Sequence, residues 1–377
     1  MKIAILGYGV VGSGAYEVLK NYGHQVKKVL DIRPHDELGE VLTSNYDDIL
    51  NDDEIGVVAE AIGGLEPAHT FVVKALKAGK HVVSSNKHLI CHYYDELHAL
   101  AKENKVTIRF TSSVGGGIPW LYNLKRAVRC DNITKIMGIM NGTTNFILDA
   151  MISNSRDFDE VLKEAQSLGY AEANPSADID GLDVARKTAI SSSIAFNTII
   201  KEENVSVFSL RNVTKADIDF ILKSGKTLRY MGFGIKNKDS ISCFVEPVIL
   251  PKDALESNVN KNFNMISLFG DSVGRLSFFG QGAGKYPTGN ALAQDALDIV
   301  NGDTTLLCQF NEAFVDNSKA TRDYYVRTSV KLDKEAIKEE NGSYFYYFKG
   351  NSVSQMHDFI NSLREKDPAV FCAGYEG

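Results

Sequence analysis

The chain opens with a short apolar run, KIAILG (2–7), and its first 150 residues alternate such runs with helical patterns. VKKVLD (26–31), VVAEAIG (57–63), HVVSSN (81–86), VTIRFTSS (106–113) and ITKIMGIM (133–140) are rich in β-branched residues and bounded by turn formers, and read as strands. Between them, VGSGAYEVLKNYG and EPAHTFVVKALKAGKH place apolar residues at helical spacing. This alternation predicts a parallel sheet covered by helices on both faces. From about residue 145 the pattern changes. FILDAMISN, FDEVLKEAQSLGY, LDVARKTAISSSIAF and KADIDFILKSGKT are helical, and they lead into LRYMGFGIKN, SISCFVEPVIL, NMISLFGD and GRLSFFGQ, which suit antiparallel strands. The pattern predicts an α/β domain over 1–142 and an α+β domain over 143–287. A helix at about 288–303 returns to the first domain, and a short α+β appendage spans 320–377.

Composition narrows the function. With 377 residues the chain has material for two or three domains. A formal charge of −7 argues against a nucleic-acid footprint, which needs a basic surface. No window approaches the roughly 20 apolar residues of a membrane span, and the start lacks the pattern of a signal peptide, so a cytoplasmic protein is expected. Five scattered cysteines (Cys91, Cys130, Cys243, Cys308, Cys372) without a CxxC pair fit reduced thiols acting as small hydrophobes.

The candidate chemistry begins at GYGVVGSG (7–14). Gly7, Gly9 and Gly12 form GxGxxG directly after a strand, with Val10 and Val11 opening a helix whose N–H groups and dipole suit a pyrophosphate. Asp31 follows Gly12 by 19 residues, at the end of the next strand, where it can accept from an adenosine ribose. A Rossmann-type dinucleotide-binding domain follows, with a leaning to NAD because the Asp31 charge repels a 2′-phosphate. Arg33 is the group that could serve NADP instead. Lys87 stands just past the fourth strand; from position alone it is either a ligand of the crevice or an ordinary surface lysine.

LGYAEANPSADIDGLDVARK (168–187) gathers Glu172, Asp178, Asp180 and Asp183 before Lys187. Asp180 reads as a helix N-cap, with Asp183 reaching back in a capping box. Asp183 and Lys187 share a helical face, and as a solvated pair they would contribute a few tenths of a kcal/mol. That account leaves Glu172 and Asp178 unexplained. Acids beside a lysine also suit a substrate that carries an ammonium group and a reacting oxygen.

Segment 168–187 resembles the signature of the homoserine dehydrogenase family. AIGGLEPAHTFVVKALKAGKHVVSSNK (61–87), SSVGGGIP (112–119), GIMNGTTNFIL (138–148) and GQGAGKYPTGNA (280–291) are similar to further family blocks in the same order, so the likeness spans about 1–300. It implies reversible NAD(P)-dependent reduction of L-aspartate 4-semialdehyde to L-homoserine, within threonine, methionine and isoleucine biosynthesis. In that reading Lys187, held by Asp183, gives or takes the proton, and Lys87 is the second essential lysine, beside the nicotinamide. Glu172 binds the substrate ammonium, Asp178 and Asp183 order the network, and the backbone at Gly142 and Thr143 takes the substrate carboxylate. Gly284, in the late glycine-rich loop, belongs to the cofactor site. The second domain becomes the catalytic and dimerisation domain of a homodimer.

Two positions depart from the family pattern. Backbone oxygens at Val114, Gly116 and Ile118 resemble a sodium site, but Thr111 stands where the family has an acid. The tail from 320 offers three strands and one helix (353–367), too little for the regulatory ACT domain that ends many relatives. An aspartate-semialdehyde dehydrogenase would need a cysteine nucleophile in a suitable turn, which is lacking. A catalytically idle dinucleotide sensor would be favoured by loss of Lys87 or Lys187, and both are present.

Overall fold

The computed structural model describes residues 1–305 and 314–376, so Cys308 lies outside the described residues. The chain forms two compact units, Met1–Arg129 with Gly280–Phe310, and Cys130–Phe279 with Asn311–Gly377. Among the described residues, no helix is long and apolar enough to cross a membrane.

The first unit is built on six parallel strands: β1 (Lys2–Leu6), β2 (Val26–Leu30), β3 (Leu42–Thr43), β4 (Ile55–Glu60), β5 (His81–Ser84) and β6 (Ile108–Arg109). Their order is β3-β2-β1-β4-β5-β6, which reverses direction between β1 and β4. Such a reversal leaves a crevice beyond the carboxyl ends of the strands. Helix Val10–Asn21 and the returning helix Lys285–Val300 pack on this sheet, burying Leu19, Leu292, Ala293 and Ile299 against Ile3, Ile5 and Val57. Each Leu or Ile so buried contributes about 1.5–3 kcal/mol. The two helices approach so closely at Gly14 that a Cβ there would lie 2.1 Å from the Lys285 carbonyl oxygen. A Gly14→Val change would force them apart.

Two sequence expectations change. The run 106–113 is extended only over Ile108–Arg109, then turns through Thr111–Ser113. Ser113 Oγ donates to the Phe110 carbonyl at 2.7 Å, a local bond that competes with the ladder. The run 133–140 does form β7 (Ile133–Ile139), but β7 belongs to the second unit and pairs antiparallel with both neighbours, so it is no part of the parallel sheet. A buried strand reads the same in either sheet; only its partners decide.

The second unit holds the remaining strands: β8 (Ser206–Val207), β9 (Lys226–Lys236), β10 (Ile241–Pro251), β11 (Phe263–Gly270), β12 (Gly274–Gln281), β13 (Thr321–Thr328), β14 (Lys338–Glu340), β15 (Ser343–Ser352) and β16 (Phe371–Tyr375). They form one sheet in the order β12-β11-β7-β9-β10-β16-β13-β15-β14, with β8 beside β10. Helix Leu182–Phe196 lies on β9 so closely that a Cβ at Gly232 would fall 2.1 Å from Thr188 Oγ1. This helix is buried on almost every side, which is why Lys187 near its start is only 7% exposed.

The tail is not a separate appendage. It supplies four strands and the helix Val353–Arg364, one strand more than the sequence suggests, and β16 runs parallel to β10 in the same sheet. Within the tail the chain-order pattern is 4-1-3-2, that of a βαββαβ unit with its first helix missing between β13 and β14. Cys243 and Cys372 are buried within strands of this sheet, and burial pushes the Cys243 thiol up to about 12, as befits a small core hydrophobe.

Candidate active site

In the first unit, Gly7 takes φ +91, a conformation that favours glycine, and a Cβ there would stand 2.9 Å from the Ala61 carbonyl oxygen. A Cβ on Gly12 would sit 1.9 Å from the Gly7 oxygen, so both positions demand glycine. A Cβ at Gly9 would meet nothing within 4 Å: the backbone there faces open space, ahead of the N–H groups of Val10 and Val11. This is the cradle that a pyrophosphate needs, and the residues present fit a dinucleotide. Gly284 (φ +126) caps the returning helix, whose Lys285 and Tyr286 both bond Glu17 on helix 10–21.

Asp31, at the end of β2, accepts from the Tyr8 N–H at 2.7 Å and the Arg33 N–H at 2.9 Å, and Arg33 Nε lies 3.2 Å away. Burial alone would raise its pKa, but the Arg33 side chain and these N–H groups outweigh burial and hold the carboxyl well below the usual range. Asp31 is therefore an anion at neutral pH, and Arg33 turns toward it.

Lys87 opens the helix Lys87–Glu103, just past the carboxyl end of β5, and is half-buried. The Asn86 side chain caps that helix through the Leu89 N–H at 3.1 Å and donates to the Gly64 carbonyl at 2.6 Å. Behind it, fully buried Glu60 accepts from Ser84 Oγ at 2.5 Å and from the Ile62 and Gly63 N–H groups. Burial pushes the Glu60 carboxyl upward. Neither Asn86 nor Glu60 stood out in sequence; a lone acid ending an apolar strand run was the available signal.

In the second unit the acidic segment converges on the end of β7. Lys187 Nζ donates to the Met140 carbonyl at 2.6 Å and to Asp183 Oδ2 at 2.7 Å, and both side chains are less than a tenth exposed. Asn141 Nδ2 bridges Asp178 Oδ1 at 2.7 Å and Asp183 Oδ2 at 2.9 Å. Its Oδ1 caps the helix Gly142–Asn154 by accepting the Thr144 N–H at 2.8 Å. Gly142 and Thr143 thus form the first turn of that helix, whose N–H groups have no intrahelical acceptors. Burial, then the neighbouring Asp183 charge, raises the Asp178 pKa, against the pull of Asn141 and Lys187.

Glu172 is exposed, and its main-chain carbonyl accepts from Gln166 Nε2 at 3.1 Å; its carboxylate does not join the network among the described residues. The expected capping box is absent as well. The N-cap of helix 182–196 is Gly181, at φ +86, with no side-chain cap bond. Asp180 turns instead to Ser209 Oγ at 2.9 Å and Arg211 Nη2 at 2.7 Å. Asp183 is thereby left to Lys187 and Asn141. Asn141, the hinge of this arrangement, was visible only as the first residue of NGTTN.

In the loop after β6, Val114 and Ile118 are buried, and Gly116 packs so that a Cβ would lie 2.5 Å from the Gly282 carbonyl carbon. Thr111 brings no carboxylate there. Its N–H and Oγ1 each donate at 2.8 Å to Asp295, a buried acid on the returning helix. Burial pushes the Asp295 carboxyl up to about 6.

Known proteins resemble this chain along most of its length. The family described as homoserine dehydrogenase, NAD binding domain, matches residues 7–111, and the family described as homoserine dehydrogenase matches 119–297. The chain is 38% identical to the homoserine dehydrogenase of Bacillus subtilis (strain 168) over 366 residues, 91% of this chain and 83% of that protein. The crystal structure of a homoserine dehydrogenase from Thiobacillus denitrificans superposes with a TM-score of 0.88 at 30% identity, covering 100% of this chain and 98% of that one. A hyperthermophilic archaeal homoserine dehydrogenase in complex with NADPH matches with a TM-score of 0.68 at 26% identity, over 80% of this chain and 97% of that one. The chain belongs to the homoserine dehydrogenase family, whose activity is an NAD(P)-dependent oxidoreduction at a CH–OH group.

Proposed function

We propose that the first unit binds the dinucleotide and that the second holds L-homoserine or L-aspartate 4-semialdehyde, with Lys187 handling the proton at the reacting oxygen. The bound nicotinamide supplies or accepts the hydride. When an aldehyde receives hydride, an alkoxide forms and needs both a proton and a positive neighbour. A buried ammonium fixed by Asp183 and the Met140 carbonyl supplies both, and this observation carries the reading. In the reverse direction Lys187, neutral, takes the proton from the hydroxyl.

Asp178 and Asp183, joined through Asn141, hold the Lys187 side of the site in place. The free N–H groups at Gly142 and Thr143 suit a substrate carboxylate, as helix N-termini suit anions. Exposed Glu172 is assigned to the substrate ammonium, with Lys87 as the second essential lysine and Gly284 in the cofactor loop.

NAD is the preferred cofactor in this reading. An anionic Asp31 repels a 2′-phosphate, and its bonds to Arg33 engage that guanidinium. A monovalent cation on the carbonyl oxygens of Val114, Gly116 and Ile118, a homodimer formed through the second unit and a cytoplasmic location complete the proposal. Purified protein given L-homoserine should reduce NAD faster than NADP, read by absorbance of the reduced nicotinamide. No turnover with either cofactor would sink the reading.

A further inference from the structure

At the edge of the first unit's sheet, a cavity of about 100 Å³ is lined by Arg109, Tyr122, Lys125, Arg126, Arg129 and Asp303, with Thr111 at its side. Four cationic side chains thus face a single carboxylate. Two of them, Arg126 and Arg129, are exposed and make no ion pair among the described residues. They belong to or directly follow the helix Trp120–Ala127.

The innermost wall is Arg109, only 3% exposed. Its Nη1 is held by Asp298 at 2.8 Å, and its Nη2 by the Asp303 carbonyl at 2.8 Å and carboxylate at 2.5 Å. Its Nε, enclosed by protein, has no hydrogen-bond partner among the described residues. Because protein closes over this atom, it is no donor to the cavity, and the donors left for an occupant are those of the exposed Arg126 and Arg129.

We propose that this cavity is a binding site for a small tetrahedral oxyanion, phosphate or the phosphoryl end of a small metabolite. The cavity has room for a phosphoryl group. Guanidinium donors suit such a group because their planar forks match its oxygens. Arg109 is engaged by both Asp298 and Asp303, so the attraction for an anion comes from Arg126 and Arg129, which make no ion pair among the described residues. The site is separate from the phosphate loop after β1. β4 and β5 stand between β1 and β6, a separation of about 14 Å at ordinary strand spacing.

Titration calorimetry with inorganic phosphate tests this in the full chain, with NAD saturating so that the dinucleotide site is filled and ionic strength held constant with chloride. Saturable binding at one site per chain is expected. It should weaken at least tenfold in R126Q/R129Q, whose melting temperature and NAD affinity should stay those of wild type. Glycerol phosphate divides the sources: binding of both ligands assigns the site to a phosphorylated metabolite, and binding of inorganic phosphate alone assigns it to the free anion. Absence of saturable binding, equal binding in R126Q/R129Q, or displacement by chloride (an adventitious ion only) would overturn the proposal.

Discussion

Two of the buried ionic networks in the second unit have similar composition and different character. In one, Asp178 and Asp183 share Asn141, and a single lysine, Lys187, answers them at the end of β7. In the other, Glu246 on β10 accepts from Arg322 Nη1 at 2.7 Å, and from His357 Nε2 at 3.1 Å on the tail helix. Arg322 also reaches Glu376 at 2.8 Å and lies over the Phe233 ring at 4.5 Å, while Ser206 Oγ closes on His357 Nδ1 at 2.7 Å. This second network ties β8, β10, β13, the tail helix and the last residues together. Arginine keeps its proton, so the cation nearest Glu246 is a fixed charge, and His357 beside it is the one member here that can exchange a proton. Lysine, unlike arginine, can give up its proton. Burial of charge therefore does not mark function by itself; the type of cation and its place at a strand end do.

The largest effect that would sharpen the contrast is on stability. Arg322→Ala leaves Glu246 buried without its cation and should cost about 3–5 kcal/mol in chemical denaturation, while the folded fraction keeps wild-type kcat. A mutant as stable as wild type would remove the structural role.

A buried acid that makes no ion pair among the described residues gives the next effect. The Asp295 carboxyl moves from an ordinary 3.8 to about 6. The folded chain thus retains a proton that the unfolded chain has lost between about pH 4 and pH 6. Stability attached to this group is present below pH 4 and is lost as pH rises through 6, by at most roughly 3 kcal/mol. Denaturation measured across this range should show that fall in the wild type and a flatter profile in Asp295→Asn. The same slope in both proteins would show that Asp295 is not its source.

Within the Lys187 network, Asp183→Asn keeps the shape and removes the partner charge. We expect kcat to fall about a hundredfold with the melting temperature changed by only a few degrees. A fall in stability with unchanged kcat would make this network structural too. The smallest effect concerns specificity. Asp31→Ser should shift the NADP to NAD ratio of kcat/KM about tenfold toward NADP, by removing a charge facing the 2′ position. An unchanged ratio would detach Asp31 from cofactor choice.

Much of this was legible in the chain. GYGVVGSG and Asp31 lie in one βαβ stretch, so local spacing sufficed to place them. The amphipathic helices followed their apolar periods closely, as in FDEVLKEAQSLGY, whose helix Phe158–Ser167 buries Phe158, Val161 and Ala165. What escaped was pairing. β7 reads as a strand either way, and its place in the antiparallel sheet depends on β9 and β11, more than 80 residues downstream. Asp180 looked like a cap because its spacing was right; Arg211, about 30 residues on, takes it elsewhere. Asn141 joins segments 37 and 42 residues apart, a convergence that only the fold creates.

The claim that Lys187 carries the proton is tested most directly by Lys187→Ala with L-homoserine and NAD, alongside NAD binding followed by fluorescence. The account predicts that kcat falls by about 10²–10⁴ while NAD affinity stays within a factor of two. Turnover within a few-fold of wild type would contradict it, and would place the proton with another group.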